Sequence, residues 1–220
     1  MSLFHNLPTT QPGLAFPASL SEKYRPHTFA DFVGLEKPKK ILSKFAEAPY
    51  PSAWLFVGPS GTGKTSMALA CCEAIRGEMH HIPSQQCNVE TIENVVRMCH
   101  YIPATGKSFH VVVCDEADRM SKGAQLALLS KLDATAFPPN TIFIFTCNAT
   151  DGLEDRFISR TRQIAFQSHG IAEQAAKLLE DIWQREAGDA EKPNFLRIVR
   201  DSQNNVRDAL MSLETEILVS

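Results

Sequence analysis

The sequence predicts an α/β protein with a five-stranded parallel sheet and a small C-terminal helical lid. Apolar runs of strand length, such as His110-Val111-Val112-Val113-Cys114 and Ile142-Phe143-Ile144-Phe145, are almost continuous, as strands covered on both faces require. Between the strands lie longer stretches with helical spacing, and such alternation implies parallel pairing through helical crossovers. After His169-Gly170 no strand pattern appears, and the remaining residues read as helices.

Taken in order, residues 1–20 hold Pro8, Pro12 and Pro17 with little periodicity, which predicts an extended arm. A helix is expected over 37–45. The apolar run Ala53-Trp54-Leu55-Phe56-Val57 then reads as a buried strand that stops at a glycine-rich turn. Residues 65–75 carry Met67, Leu69, Ala70 and Ala74 with no breaker, which suits a helix packed on a sheet. There follow a strand over 79–83, a helix over 89–99, a strand over 109–114, a helix over 125–132, a strand over 141–147 and a short fifth strand over 163–166. The lid is expected as three helices over 171–186, 193–201 and 204–217. The division is therefore an arm (1–20), a sheet domain (21–168) and a helical lid domain (169–220).

Composition narrows the class without naming a function. With 220 residues there is room for one sizeable core and a small appended domain. Hydrophobic residues at 44% and charged residues at 21% are those of an ordinary globular protein, which argues against disordered and disulfide-scaffold classes. No run approaches the ~18 apolar residues of a membrane span, and no basic segment leads into an apolar run at the N-terminus, so a cytoplasmic location is expected. The six cysteines are dispersed without any Cys-x-x-Cys pair and are expected to be reduced thiols near the core. A net charge of −3 leaves binding to nucleic acid undecided.

The chemistry begins at Gly58-Pro59-Ser60-Gly61-Thr62-Gly63-Lys64-Thr65, with Ser66 directly after it. This is the phosphate-binding P-loop pattern, in which backbone N–H groups wrap a phosphate and the following helix N-terminus faces it. Gly61 and Gly63 let the backbone turn tightly, Lys64 reaches the β- and γ-phosphates, and Thr65 offers a hydroxyl to Mg²⁺. A chance match arises in roughly one chain of this length in a hundred, and the strand before and helix after make it rarer. Mg²⁺ bridging the phosphates also needs an acidic partner at a strand tip, which Asp115 provides. Glu116 beside it can act as general base toward water. Asn148 ends the next apolar strand, where its amide could hold the lytic water or the γ-phosphate. ATP and Mg²⁺ are therefore the expected ligands.

From about Leu20 to Leu213 these residues resemble the AAA+ ATPases, and within them the clamp-loader subunits of the replication factor C and bacterial gamma/tau kind. Glu22-Lys23-Tyr24-Arg25-Pro26 with Asp31-Phe32-Val33-Gly34 is similar to the segment that closes over adenine in that family. The resemblance implies that Tyr24, Arg25, Pro26, Val33 and Gly34 line the base and ribose. Cys114-Asp115-Glu116-Ala117-Asp118 is similar to the Walker B strand, with Asp115 for Mg²⁺ and Glu116 as base. Asn148 matches the first sensor. Ser159-Arg160 resembles the clamp-loader Ser-Arg-Cys motif, although Thr161 stands in third place, and it implies that Arg160 reaches a neighbouring subunit's ATP site in a homo- or hetero-oligomer. Asn204-Asn205-Val206-Arg207 resembles the second-sensor helix, with Asn204-Asn205 where the family usually has Gly-Asp, and Arg207 as a phosphate contact in cis.

Two departures from the family pattern accompany these matches. Cys87 and Cys99 stand apart in the sequence, so the zinc module of the gamma/tau type is not expected. Nothing after the second sensor resembles the helical collar that holds clamp-loader rings together. The leading expectation is an ATPase that couples nucleotide state to subunit movement in DNA replication or a related DNA transaction, with DNA and a sliding clamp as possible partners and no membrane. Lys122 and Lys131 are the candidate DNA contacts. The alternative is an ATP-dependent switch or adaptor that hydrolyses slowly or not at all, and a P-loop kinase ranks last because no acceptor pocket is evident.

Overall fold

The computed structural model describes residues 18–219 apart from 104–105, 134 and 189. Most of the arm expected over 1–20 thus lies outside the described residues. The sheet consists of Ser52–Val57 (β1), Glu78–Ile82 (β2), His110–Cys114 (β3), Thr141–Cys147 (β4) and Arg162–Ala165 (β5). They lie in the order β2-β3-β4-β1-β5, and every pairing is parallel. The five strands and their direction are those expected.

Alternation along the strands divides the core between two faces. On one face, Trp54 and Phe56 of β1, Val111 and Val113 of β3, and Ile142 and Ile144 of β4 meet Glu36–Glu47 (α2) and Lys64–Ala74 (α3). On the other, Ala53, Leu55, Val112, Phe143 and Phe145 meet Val89–Cys99 (α4) and Lys122–Leu132 (α5). Burial on both sides is why these strands read as unbroken apolar runs. The helix after β1 goes to one face, whereas α5, after β3, goes to the other. That divergence opens a crevice at the carboxyl ends of the strands, where ligands bind in open α/β sheets.

A third cluster joins Leu20–Lys23 (α1) with the C-terminal helices Ala172–Glu186 (α7), Phe195–Asp201 (α8) and Val206–Val219 (α9) around Trp183, Leu179 and Leu213. Asp155–Ile158 (α6) and α1 are single turns that periodicity did not reveal. Element ends fall within three residues of expectation, and two of the shifts have a visible local cause. Helix α5 starts at Lys122 because the Ser121 hydroxyl accepts the Ala124 N–H at 3.2 Å and caps it. Strand β1 starts at Ser52, whose hydroxyl accepts the Trp54 indole N–H at 3.0 Å. No described helix is long and apolar enough to cross a membrane.

Candidate nucleotide site

The loop of residues 58–65 leaves β1 and enters α3, and its shape follows from its glycines. Gly61 and Gly63 adopt φ of 75° and 86°, a region that a side chain strains. Gly63 precedes α3, so the first N–H groups of that helix, which have no intrahelical partners, border the loop. Gly58 donates to the Cys147 carbonyl at 3.2 Å, which ties the loop to β4. Lys64 is buried, and its ammonium donates to the carbonyls of Gly58 and Pro59 at 2.6 and 2.8 Å and to Asn148 Oδ1 at 3.1 Å. Burial pushes its pKa below the ordinary lysine value, against the attraction of Cys147 and Asp118. A buried cation held by neutral oxygens is a receptive partner for an anion.

Asp115 directly follows β3, beside this loop. Its Oδ1 accepts from the hydroxyls of Thr65 at 2.9 Å and Thr146 at 3.0 Å, and its Oδ2 lies 2.7 Å from His81 Nε2. A carboxylate and a hydroxyl placed together as hard oxygen donors suit Mg²⁺. His81 and Thr146 were not foreseen, since their role arises from parallel pairing of β2 and β4 with β3. Glu116 sits at φ 51°, its N–H donates to Thr146 Oγ1 at 3.2 Å, and its carboxylate pairs with Arg119 at 3.2 Å. A glutamate held in left-handed backbone next to the site is strain of the kind found where side chains must be aimed. Asn148 is exposed at the end of β4, and its N–H points to Asp118 Oδ2 at 3.4 Å. Among the described residues Asp118 Oδ1 is buried without a hydrogen-bond partner. The loop beyond Asn148 is positioned by buried Gln125, which donates to the Gly152 carbonyl at 2.9 Å and accepts from the Glu154 N–H at 2.8 Å.

A cavity of about 420 Å³ opens next to Gly61, Thr62, Gly63 and Ser66. Tyr24, Arg25, Pro26 and Val33 line it from the N-terminal side, and Arg207 and Leu210 line it from α9. The size is that of a small-molecule site. Gly34 is buried behind this wall, where a methyl group would meet Ile171 at 2.4 Å. Pro59 and Ser60 are exposed on the outer turn of the loop.

The second-sensor departure has a physical reading. Asn204 takes φ 60°, a left-handed position open to glycine and one that asparagine tolerates better than most residues. Asn205 accepts the Arg207 N–H at 3.1 Å and also donates to the Ser60 carbonyl at 3.3 Å, joining the start of α9 to the phosphate loop. Arg160 lies apart from this cavity. Its guanidinium is tied to Asp133 Oδ1 at 2.8 Å and to the Arg156 carbonyl at 3.0 Å. All six cysteines are buried free thiols, with burial pushing Cys71 up to about 12 and Cys72, Cys99 and Cys147 to about 11.

The chain is similar to replication factor C small subunit 2 of Pyrobaculum aerophilum, at 33% identity over 206 residues, 90% of this chain and 64% of the relative. The replication factor C small subunit of Methanosphaera stadtmanae is 30% identical over 199 residues, 88% of this chain and 61% of the relative. The chain thus spans less than two thirds of the length of these curated relatives. In fold it is similar to Thermotoga maritima RuvB, a Holliday junction branch migration motor, with TM-score 0.71 at 18% identity over 87% of this chain and 64% of that one. Residues 54–168, which run from β1 past β5 and include Lys64, Asp115 and Asn148, match the ATPase family associated with various cellular activities (AAA). That match covers more than half of the chain, which therefore belongs to the AAA family of ATPases.

Proposed function

We propose that this protein hydrolyses ATP to ADP and phosphate and uses the cycle to move subunits in DNA replication or a related DNA transaction, as clamp-loader subunits do. The observation that carries the reading is the hydrogen-bonded set of Lys64, Thr65, Asp115 and Asn148 at the carboxyl ends of β1, β3 and β4. Residues 21–168 form the ATPase domain in this reading, and 169–220 the lid. The base and ribose lie against Tyr24, Arg25, Pro26, Val33 and Gly34, with the phosphates on the 58–65 loop and Ser66. Lys64 exchanges its loop carbonyls for phosphate oxygens. Thr65 and Asp115 would hold Mg²⁺, which would supply positive charge to offset that of the phosphates.

Glu116 swings from Arg119 to take the proton of the attacking water, while the Asn148 amide orients that water or the γ-phosphate. His81 and Thr146 hold the Asp115 carboxylate in place. Arg207 supplies positive charge in cis, and Arg160 supplies it to a neighbouring subunit. The pair that now holds Arg160 is partly exposed and weak, so its release costs little. DNA and a sliding clamp are the proposed partners, a reading supported by the replication factor C small subunits that the chain resembles. Lys122 on α5, which lies 3.7 Å from Glu154, and Lys131 in its last turn are the proposed DNA contacts.

Steady-state hydrolysis with and without primed DNA, alongside solution mass with and without ATP, tests this reading. The expected outcome is DNA-stimulated turnover that Glu116→Gln lowers by about 10²–10⁴-fold while ATP binding persists. Absent turnover in the parent, or unchanged turnover in Glu116→Gln, overturns the enzymatic reading.

A further inference from the structure

On the far side of the sheet from α2 and α3, three potential metal ligands come together away from the nucleotide site. His80 Nε2 and His110 Nδ1 are 2.9 Å apart, and with Cys99 Sγ all three atoms lie within 4.8 Å of one another. The sequence conceals them. His80 is on edge strand β2, His110 opens β3 next to it, and Cys99 is the last residue of α4, which covers that face. Their spacing of 19 and 11 residues matches no familiar ligand pattern, and only the parallel register of β2 on β3 brings the histidines side by side.

The hydrogen bonding of His110 already suits a metal ligand. His110 Nε2 lies 2.9 Å from the Tyr101 carbonyl, which can only accept, so that nitrogen carries the proton. In a neutral ring Nδ1 then presents a lone pair. A backbone carbonyl on the outer nitrogen is the usual arrangement that fixes the tautomer and orientation of metal-bound histidine. His110 and Cys99 are 3% and 0% exposed, whereas His80 is half-buried and leaves a path from solvent at the sheet edge.

We propose that His80, His110 and Cys99 form a site for a thiophilic divalent cation, Zn²⁺ foremost, that staples β2, β3 and the end of α4. In a tetrahedral zinc site the bond lengths place two nitrogens about 3.3 Å apart and nitrogen and sulfur about 3.6 Å apart. The histidines therefore need to separate by a few tenths of an ångström, and Cys99 needs only a side-chain shift of about 1 Å. Glu78 shares the face of His80, stands in register with His110, and is close enough to act electrostatically on both His80 and Cys99. In the proposed site a water entering at the β2 edge takes the fourth position beside it. On binding, the His80 ring keeps one proton, moving it from Nε2 to Nδ1, and the Cys99 thiol loses one to solvent.

Cobalt(II) titration of chelator-treated full-length protein tests the site, because Co²⁺ reports thiolate ligation and tetrahedral geometry that the oxygen donors of the nucleotide site cannot produce. The expected result is one Co²⁺ bound with a thiolate-to-metal charge-transfer band and intense visible bands. These survive excess Mg²⁺ and ADP, disappear on adding Zn²⁺, and accompany release of about one proton per metal. Cys99→Ser, checked for folding by circular dichroism, abolishes the charge-transfer band and the proton release. His80→Gln, at the half-buried position, weakens Co²⁺ binding by on the order of 10- to 100-fold or more. Absence of the band in the parent protein, or its persistence in a folded Cys99→Ser protein, overturns the proposal. So does unchanged Co²⁺ affinity in His80→Gln.

Discussion

A methyl group added to Gly58 would lie 2.1 Å from the carbonyl oxygen of Phe166 and 2.9 Å from its Cβ. Both neighbours belong to the chain that follows β5, where the Phe166 N–H donates to the Val57 carbonyl at 2.7 Å, so neither can yield without loss of sheet pairing. Gly58→Ala is expected to destabilise the protein by about 1–3 kcal/mol, visible as a lower Tm and denaturation midpoint. An unchanged midpoint would show that the loop can shift away from β5. At this scale the 58–65 loop, Asp115, Glu116 and Asn148 stood out in the sequence because their types and spacing match what phosphate and metal chemistry require, and the structure brings Lys64 to Asn148 and Thr65 to Asp115. His81 and Thr146 did not stand out, since nothing local marks a histidine or a threonine as a partner of a carboxylate 34 or 31 residues away.

At the scale of elements, the turn that ends α1 connects the cavity wall to the lid helices. Lys23 donates to Glu186 at the end of α7 at 2.7 Å, and the Tyr24 hydroxyl donates to the same carboxylate. The Lys23 hydrogen bond, and then that of Tyr24, hold the Glu186 carboxyl below its ordinary 4.5. A depressed carboxyl pKa contributes stability that is present above pH 4.5 and is lost as pH falls through the lower folded value. Glu186→Gln is therefore expected to lower Tm at pH 7, with the difference from the parent narrowing below pH 4.5 and closing at lower pH. A gap that stays constant with pH would assign the effect to packing instead. The long elements were legible from periodicity, and the sheet especially so because both of its faces are covered. The single turns α1 and α6 were not, because four residues cannot display a 3.6-residue repeat, and the start of α5 depended on the Ser121 cap.

At the scale of the whole molecule, the proposed role of Arg160 requires a second subunit. Its guanidinium is bound to Asp133 on its own chain, away from the cavity next to Gly61 and Gly63. If sites are shared, Arg160→Ala abolishes turnover on the scale of an arginine finger, about 10³–10⁵-fold. Mixing Arg160→Ala with Glu116→Gln protein then restores part of it, because some interfaces pair an intact Glu116 with an intact Arg160. Mixtures that remain inactive, although their solution mass shows co-assembly, would remove Arg160 from the neighbouring site.

The strands, the glycine-rich loop and the acidic strand tip were legible in the sequence alone, because each is a pattern within a few consecutive residues enforced by local sterics or by burial, and the parallel direction followed from the alternation of strands with helices. The tertiary structure alone decided the strand order β2-β3-β4-β1-β5, the seating of Asn205 against Ser60 across 145 residues, and the meeting of His80, His110 and Cys99. These are long-range pairings. They depend on which faces pack together, and the energy of that packing is spread over the whole core instead of being written at any one position.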